Sequence, residues 1–113
     1  MPYRRVILEM GTGNDLHGGD YTKAAVRAVH DAIHHSSLTM IRTLGVDPAR
    51  MRVDVTIGVQ RPEAVDRAEV AAALPHGEVS VDVVKGGLDV PDELPGDVAV
   101  IASAAIAVHL DLP

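Results

Sequence analysis

The chain has 113 residues and a formal net charge of -6, which is the usual size of a single domain. Aromatic residues make up 2% of it, so the stacking platforms of single-stranded nucleic-acid binders are missing, and the negative charge repels a phosphate backbone. We therefore expect no nucleic-acid partner. The absence of cysteine excludes disulfides, thiolate catalysis and Cys-based zinc sites.

The first ten residues carry two arginines and about six apolar residues, too few for the core of a signal peptide or for a membrane span. We therefore expect a cytoplasmic protein with no membrane partner. A domain this small buries a limited share of its surface, and burial between subunits would stabilise it further. A homo-oligomer is therefore expected.

The first half of the chain reads as strand, loop and helix. Residues 3–10 predict a strand with Val6, Leu8 and Met10 on one face, and Arg5 and Glu9 on the other. Residues 11–19 contain four glycines and predict a loop. From the N-cap Asp20, apolar periodicity predicts a helix that ends at Gly45. Its buried stripe would be Ala25, Val29, Ala32 and Ile33, continuing to Met40 and Leu44.

The second half predicts two more strands around a helix, followed by a last strand. Residues 51–59 alternate apolar and polar side chains, as in a half-buried strand, and residues 78–85 do the same. Between them, residues 62–74 predict a helix opened by Pro62. Residues 98–110 are apolar on both faces, which favours a central strand over the alternative of a buried helix.

The resulting order, β-α-β-α-β-β, predicts one α+β domain, a two-layer sandwich with a four-stranded sheet and both helices on one face. The opposite face is then either exposed to solvent or part of a polar interface between subunits. The last strand is apolar on both faces, which favours the interface. The side chains expected on that face are Glu9, Arg52, Asp54, Thr56, Ser80, Asp82 and Ser103.

Chemistry is expected mainly where the glycine-rich loop enters the first helix. A helix N-terminus presents free N–H groups and partial positive charge, which suits an anionic or carbonyl-rich ligand. The third glycine of a dinucleotide fingerprint and the Gly-Lys-Ser/Thr of a Walker loop are missing, so no cofactor is assigned. The ligand-binding candidates are Gly11, Gly13, Asn14, Gly18, Asp20, Thr22 and Arg27.

Asp15 and His17 are the acid–base candidates, and together with Asp20 they are also candidate ligands for a hard cation. In the alternative interpretation Asn14 and Asp15 make turns and Asp20 caps the helix. Lys23 lies close enough to the loop to bind an oxyanion or to act as base or nucleophile. In the alternative interpretation, Lys23 and Arg27 lie on a solvent-exposed face of the helix.

Histidines in the first helix give no metal site. His30 and His34 have the i, i+4 spacing that can grip a metal, and His35 adds a third imidazole. The Glu and the downstream ligand of zinc-binding helices are missing, so these are interpreted as surface histidines. His76 and His109 are interpreted as structural residues. Ser103 is interpreted as a packing residue in preference to a nucleophile.

The run GTGNDLHGGDYTKAAVRAVHDAI resembles the Lin-type conserved hypothetical proteins, short bacterial and plant proteins with a Gly-x-Gly-x-Asp-x-His-Gly motif. The matching positions are Gly11, Gly13, Asp15, His17 and Gly18, and the similarity runs over nearly the whole chain. The resemblance brings no established activity.

The loop, the helix start at Asp20 and the following strand also resemble one repeat of the ring-opening amidohydrolases, the cyanuric acid hydrolase and barbiturase group. Those enzymes are similar to three fused copies of one small domain, with Ser–Lys pairs between the copies. The resemblance therefore implies that a free single domain forms a trimer. The first-loop Lys and the Ser-Gly-Gly of those enzymes are missing here. Under this resemblance Lys23 with Ser103, or Asp15 with His17, would replace the pair.

Two functions follow as expectations. The first is a hydrolase that acts on a small, polar, carbonyl-rich molecule at a subunit interface, with Asp15 and His17 moving protons and Lys23 steadying negative charge. The alternative is a non-catalytic oligomeric module that binds a small molecule or a metal through the same loop. A purely structural assembly subunit is the third possibility.

Overall fold

The computed structural model describes residues 3–34, 43–93 and 95–111. Two short 3-10 helices, Pro48–Arg50 and Pro62–Ala64, accompany the main elements. Those elements, in chain order, are β1 (Tyr3–Asp15), α1 (Tyr21–His34), β2 (Arg52–Val59), α2 (Arg67–Ala72), β3 (Glu78–Lys85), β4 (Leu88–Pro91) and β5 (Val98–Asp111).

The strands form one mixed sheet in the order β1-β5-β2-β3. β5 is antiparallel to both β1 and β2, and β2 is parallel to β3. The last strand is therefore central, as predicted, and the buried-helix alternative is wrong. The short strand β4 pairs with the first residues of β5, so the sheet has five strands and not the four predicted.

The prediction for β1 was wrong in length and in facing. The strand continues through Asp15, so residues 11–15 are not loop. Ile7 is buried, whereas Leu8 is 44% and Met10 69% exposed on the opposite face. The pairing with β5 shifts between Arg5 and Ile7, and such a bulge exchanges the two faces of the residues beyond it. Glu9 consequently lies on the helix side.

The glycines of β1 belong to a close helix–sheet contact. A Cβ at Gly13 would lie 2.2 Å from the backbone nitrogen of Ala28, and one at Gly11 would lie 2.4 Å from the Ala28 carbonyl oxygen. Along α1, Ala24, Ala28 and Ala32 are fully buried. Small residues on both partners thus let the helix backbone rest directly on the strand.

Both helices cover one face of the sheet, as predicted. The expected inward residues of β2 are all buried, and Ala25, Val29 and Ala32 of α1 join them in the core. Of the predicted helix over residues 20–45, residues 35–42, which include His35 and Met40, lie outside the described part. Leu44 is 66% exposed and does not continue the buried stripe.

The second helix is shorter than predicted. The chain forms a 3-10 turn over Pro62–Ala64, and α2 begins only after Asp66. The Asp66 carboxylate accepts hydrogen bonds from the backbone N–H groups of Ala68, at 3.0 Å, and Glu69, at 3.2 Å. This side-chain cap fixes the start of α2 directly after Asp66. The pattern of apolar residues had predicted that this position lies inside the helix.

The sheet face away from the helices, called the open face below, has no described helix over it. It carries most of the exposed large apolar side chains: Leu8, Met10, Val84, Leu88 and Val90. Among the predicted members Arg52, Asp54, Thr56, Ser80, Asp82 and Ser103 are exposed there. The face is therefore more apolar than predicted. Among the described residues, no helix has the length and apolar character needed to cross a membrane.

Candidate functional site

The N-terminus of α1 lies over two carboxylates of the sheet. Asp15 at the end of β1 and Asp89 in β4 both pair with Val100 of β5, from opposite edges, so the three residues form one row across the sheet. Val100 is fully buried, which places this row on the helix face. Each carboxylate binds a group at the start of the helix.

Asp15 is a buried carboxylate, with 4% of the residue exposed. Its Oδ2 accepts a hydrogen bond of 2.8 Å from the backbone N–H of Asp20. Its Oδ1 lies 3.9 Å from Lys23 Nζ and 3.8 Å from an Arg27 terminal nitrogen. Both cations therefore lie toward the end of β1, and they compensate a buried negative charge.

Asp89 accepts a short hydrogen bond from the hydroxyl of Tyr21, the first residue of α1. This bond to a carboxylate, followed by burial, raises the pKa of Tyr21, so its hydroxyl stays protonated as a donor. The other oxygen of Asp89 is buried and has no hydrogen-bond partner in the described part of the chain.

His17 pairs with Asp97 and not with Asp15. Its Nδ1 lies 3.2 Å from Asp97 Oδ2, and its side chain is 78% exposed. Asp97 Oδ1 accepts hydrogen bonds from the backbone N–H groups of Gly18, at 3.0 Å, and Val98, at 2.9 Å. The Gly18 bond, and after it the contact with His17, lower the pKa of Asp97. The loop over residues 16–20 is thereby tied to the start of β5.

A third side chain lies beside this pair. The backbone N–H of Asp92 donates to the Asp97 carbonyl at 3.1 Å and closes the turn between β4 and β5. His17, Asp92 and Asp97 each offer one ligand atom, and these atoms lie within 4.8 Å of one another. We call these three residues the His17 cluster.

The two predicted catalytic pairs are not brought together within one chain. Lys23 lies on the helix face beside Asp15, whereas Ser103 lies on the open face, so the sheet separates them. Asp15 is buried under α1 while His17 is largely exposed, and their partners differ. The loop does not enclose His17 in a pocket.

Most of the predicted ligand-binding residues have structural contacts. Gly11 and Gly13 lie under α1. Asp20 caps the helix, as the alternative interpretation predicted, since its Oδ1 accepts a 3.0 Å bond from the Lys23 N–H. The Asn14 carbonyl and the Thr22 hydroxyl have partners too. Arg27 donates to Asn14 at 2.6 Å, and Thr22 accepts from the Asp66 N–H at 2.9 Å.

The open face contains a shallow depression of about 530 Å³. Hydroxyl groups of Thr12, Thr56 and Ser103 are among its lining, together with apolar atoms of Met10 and Val84. Ser103 pairs with Thr12 of β1 on one side and with Gly58 of β2 on the other, and Gly58 pairs with Val84 of β3, so the depression crosses four neighbouring strands. An apolar rim with a few hydroxyls is the usual make-up of a small-molecule site.

The described part of the site includes residues that the sequence did not single out: Tyr21, Asp89, Asp92 and Asp97. Asp92 and Asp97 stand in a segment rich in Pro and Gly between the predicted strands, and Asp97 contacts His17 across 80 positions of sequence. A carboxylate directly before an apolar strand, as at Asp97, is the one local signal that could have drawn attention to it.

Loss of the Asp15 carboxylate should destabilise the protein. Asp15→Ala removes the acceptor for the Asp20 N–H and leaves Lys23 and Arg27 without their shared partner, so we expect the free energy of unfolding to fall by about 2 to 3 kcal/mol. Asp15→Asn keeps one acceptor oxygen and should lose less. Urea unfolding measures both, with Glu93→Ala as a control at an exposed acidic residue outside the sheet. A loss no larger than that of the control would contradict the structural role of Asp15.

The strand order and the helices place the molecule in the α+β class. Comparison with known proteins gives its family. A family model described as "Conserved hypothetical protein (Lin0512_fam)" matches residues 5–108. The chain belongs to this family, which confirms the first resemblance. A comparison with curated proteins finds no match.

A solved structure also matches along the whole chain. A crystal structure described as an FtsZ-like protein of unknown function from Nostoc punctiforme is 37% identical, with a TM-score of 0.88 and 99% of each chain covered. The neighbour therefore supports the fold and brings no activity with it. The resemblance to ring-opening amidohydrolases finds no support in these comparisons and stays a prediction.

Proposed function

We propose that this protein is a homo-oligomeric binding module that holds a small polar molecule on its open face, between subunits. The observation that carries the proposal is the depression of about 530 Å³, which combines three hydroxyl-bearing side chains with an apolar rim on the same uncovered face. We favour binding over hydrolysis because, among the residues that the structure describes, no lysine is placed beside Ser103 on the open face.

The apolar side chains around the depression support an oligomer. Met10 is 69% exposed, and Leu88 is 58% exposed on the same face. A patch of this kind on a small soluble domain typically marks an interaction surface. A second copy suits it, because the same face also carries both Arg52 and the carboxylates of Asp54 and Asp82, and a surface with both signs of charge can bind a different surface of the next copy in a ring.

The chemistry of the depression limits the ligand. The hydroxyl groups of the depression donate and accept hydrogen bonds without carrying a charge, and the Asp31 carboxylate, which accepts from the Thr12 N–H, also lines the depression. The lining therefore suits carbonyl, amide and hydroxyl groups. A second copy over the depression would exclude water and strengthen these hydrogen bonds. A trimer, the state implied by the amidohydrolase resemblance, remains the expected stoichiometry.

Filling the depression should abolish ligand binding. Ser103→Leu places an apolar side chain on the floor of the depression, whereas Ser80→Leu makes the same change on the same face in β3. We expect compounds from a panel of small amides, lactams and hydroxy acids to raise the melting temperature of the wild type and of Ser80→Leu. The same compounds should leave that of Ser103→Leu unchanged.

Two results would contradict the proposal. If a compound stabilises all three proteins equally, it binds elsewhere. If mass spectrometry shows that a stabilising compound is hydrolysed in step with protein concentration, the module is an enzyme and the hydrolase prediction replaces it.

A further inference from the structure

The residues of the His17 cluster do not line the depression, and the cluster has the composition of a metal site. It offers one imidazole nitrogen and two carboxylate oxygens, all within 4.8 Å of one another. We propose that His17, Asp92 and Asp97 bind one divalent transition-metal ion, with Zn²⁺ as the ion that fits best. This site goes beyond the proposed function and does not depend on it.

The spacing of the three ligand atoms suits a tetrahedral ion. Zinc bonds of about 2.1 Å to nitrogen and oxygen place two ligands about 3.4 Å apart. The 3.2 Å between His17 Nδ1 and Asp97 Oδ2 already lies near that separation. Asp92 and His17 are exposed, so their side chains have the freedom to close the remaining distance.

The backbone holds the cluster in place before any ion binds. Asp97 Oδ1 is held by the N–H groups of Gly18 and Val98, which leaves Oδ2 directed toward His17. The Asp92 N–H donates to the Asp97 carbonyl, so the two carboxylates are brought together by a closed turn. Backbone groups thus position residues from two distant segments of the chain.

Charge also favours a cation here. In the described part of the chain, His17 is the ion-pair partner that the structure gives Asp97, and no Lys or Arg is placed against Asp92. The competing explanation of the cluster is an ion pair between His17 and Asp97 alone, in which Asp92 has no role. The two explanations therefore differ in what they predict for Asp92.

The choice of Zn²⁺ rests on the ligand types. Imidazole binds zinc and other late first-row metals well, whereas Mg²⁺ prefers an octahedral shell of oxygens. Three protein ligands leave a fourth position for water, as in open zinc sites. The ion should therefore bind one per chain and exchange readily at this exposed position.

The test is calorimetric titration of the full chain, cleared of metal with EDTA, first with ZnCl₂ and then with MgCl₂. We expect one Zn²⁺ per chain and much weaker binding of Mg²⁺. Asp92→Asn and His17→Ala should each raise the Kd for Zn²⁺ at least about tenfold, since even partners of metal ligands have effects of that size. Asp92→Asn keeps its backbone N–H, so its melting temperature without metal should equal that of the wild type.

His30→Ala is the matched control, because it removes an exposed histidine of α1 and breaks the i, i+4 pair with His34. Its Kd for Zn²⁺ should equal that of the wild type. The proposal is overturned if no Zn²⁺ binds, if Asp92→Asn binds it as tightly as the wild type, if Mg²⁺ binds equally well, or if His30→Ala is the variant that loses the ion.

Discussion

Gly13→Ala should lower the free energy of unfolding by about 3 kcal/mol, the upper end of the range for overpacked cores. The added methyl group would lie 2.2 Å from the Ala28 nitrogen and 2.3 Å from the Ala24 carbonyl oxygen. Both are backbone atoms of α1, so no side-chain rotation relieves the overlap and the helix itself must move. Urea unfolding followed by circular dichroism measures the loss.

Gly58→Ala is the matched control for this substitution. Gly58 is also a strand glycine without a positive φ, but a Cβ there would meet its nearest neighbour at 3.4 Å, an ordinary van der Waals contact. We expect its stability to stay close to that of the wild type. If Gly13→Ala is as stable as Gly58→Ala, then α1 does not rest on β1 as described.

The same displacement of α1 would reach the carboxylates below its N-terminus. Asp15 and Asp89 hold the Asp20 N–H and the Tyr21 hydroxyl, and both contacts depend on the distance between helix and sheet. Stability and the geometry of the loop over residues 16–20 are therefore coupled through the two strand glycines. The glycines of the family motif act in packing here.

Local pattern was sufficient for much of the fold. β2 alternates apolar and polar residues without interruption, β3 does so up to Val83, and both were predicted almost to the residue. The central position of β5 followed from its two apolar faces. These features could be predicted because each depends on residues adjacent in sequence.

The errors have a common physical cause. Glycine has a low strand propensity, so residues 11–15 read as loop, whereas the requirement at Gly11 and Gly13 comes from a helix that packs on them from elsewhere in the chain. β4 is short and flanked by Gly and Pro, and it forms because β5 extends beyond β2 and offers it an edge. Neither contact is visible to a local pattern.

Some of the predicted site residues lie together in the structure, and others do not. Asp15, Lys23 and Arg27 meet near the helix start. The sequence suggested His17 and Asp15 as a pair because they are two residues apart. However, side chains of residues that follow the end of a strand can point in different directions. The partner of His17 comes from the start of β5, which only the folded topology brings near.

Met10→Lys should dissociate the oligomer. Met10 is the most exposed large apolar side chain of the structure's described residues, and it borders the depression on the open face. A lysine there would bury an unpaired charge in the interface, which costs several kcal/mol. We expect the dissociation constant of the oligomer to rise at least about a hundredfold, equivalent to about 2.7 kcal/mol. Leu44 is 66% exposed in the wild type but lies in a turn and not in a strand of the sheet, so Leu44→Lys should leave the dissociation constant unchanged.

Sedimentation velocity of the wild type and these two variants, from micromolar to hundred-micromolar protein, tests the proposed interface most directly. We predict a wild-type species at a multiple of 11.9 kDa, with three chains as the expected number. We also predict a monomer for Met10→Lys and a wild-type profile for Leu44→Lys. A wild type that stays monomeric at the highest concentration, or a Met10→Lys protein that assembles like the wild type, would contradict the proposed interface.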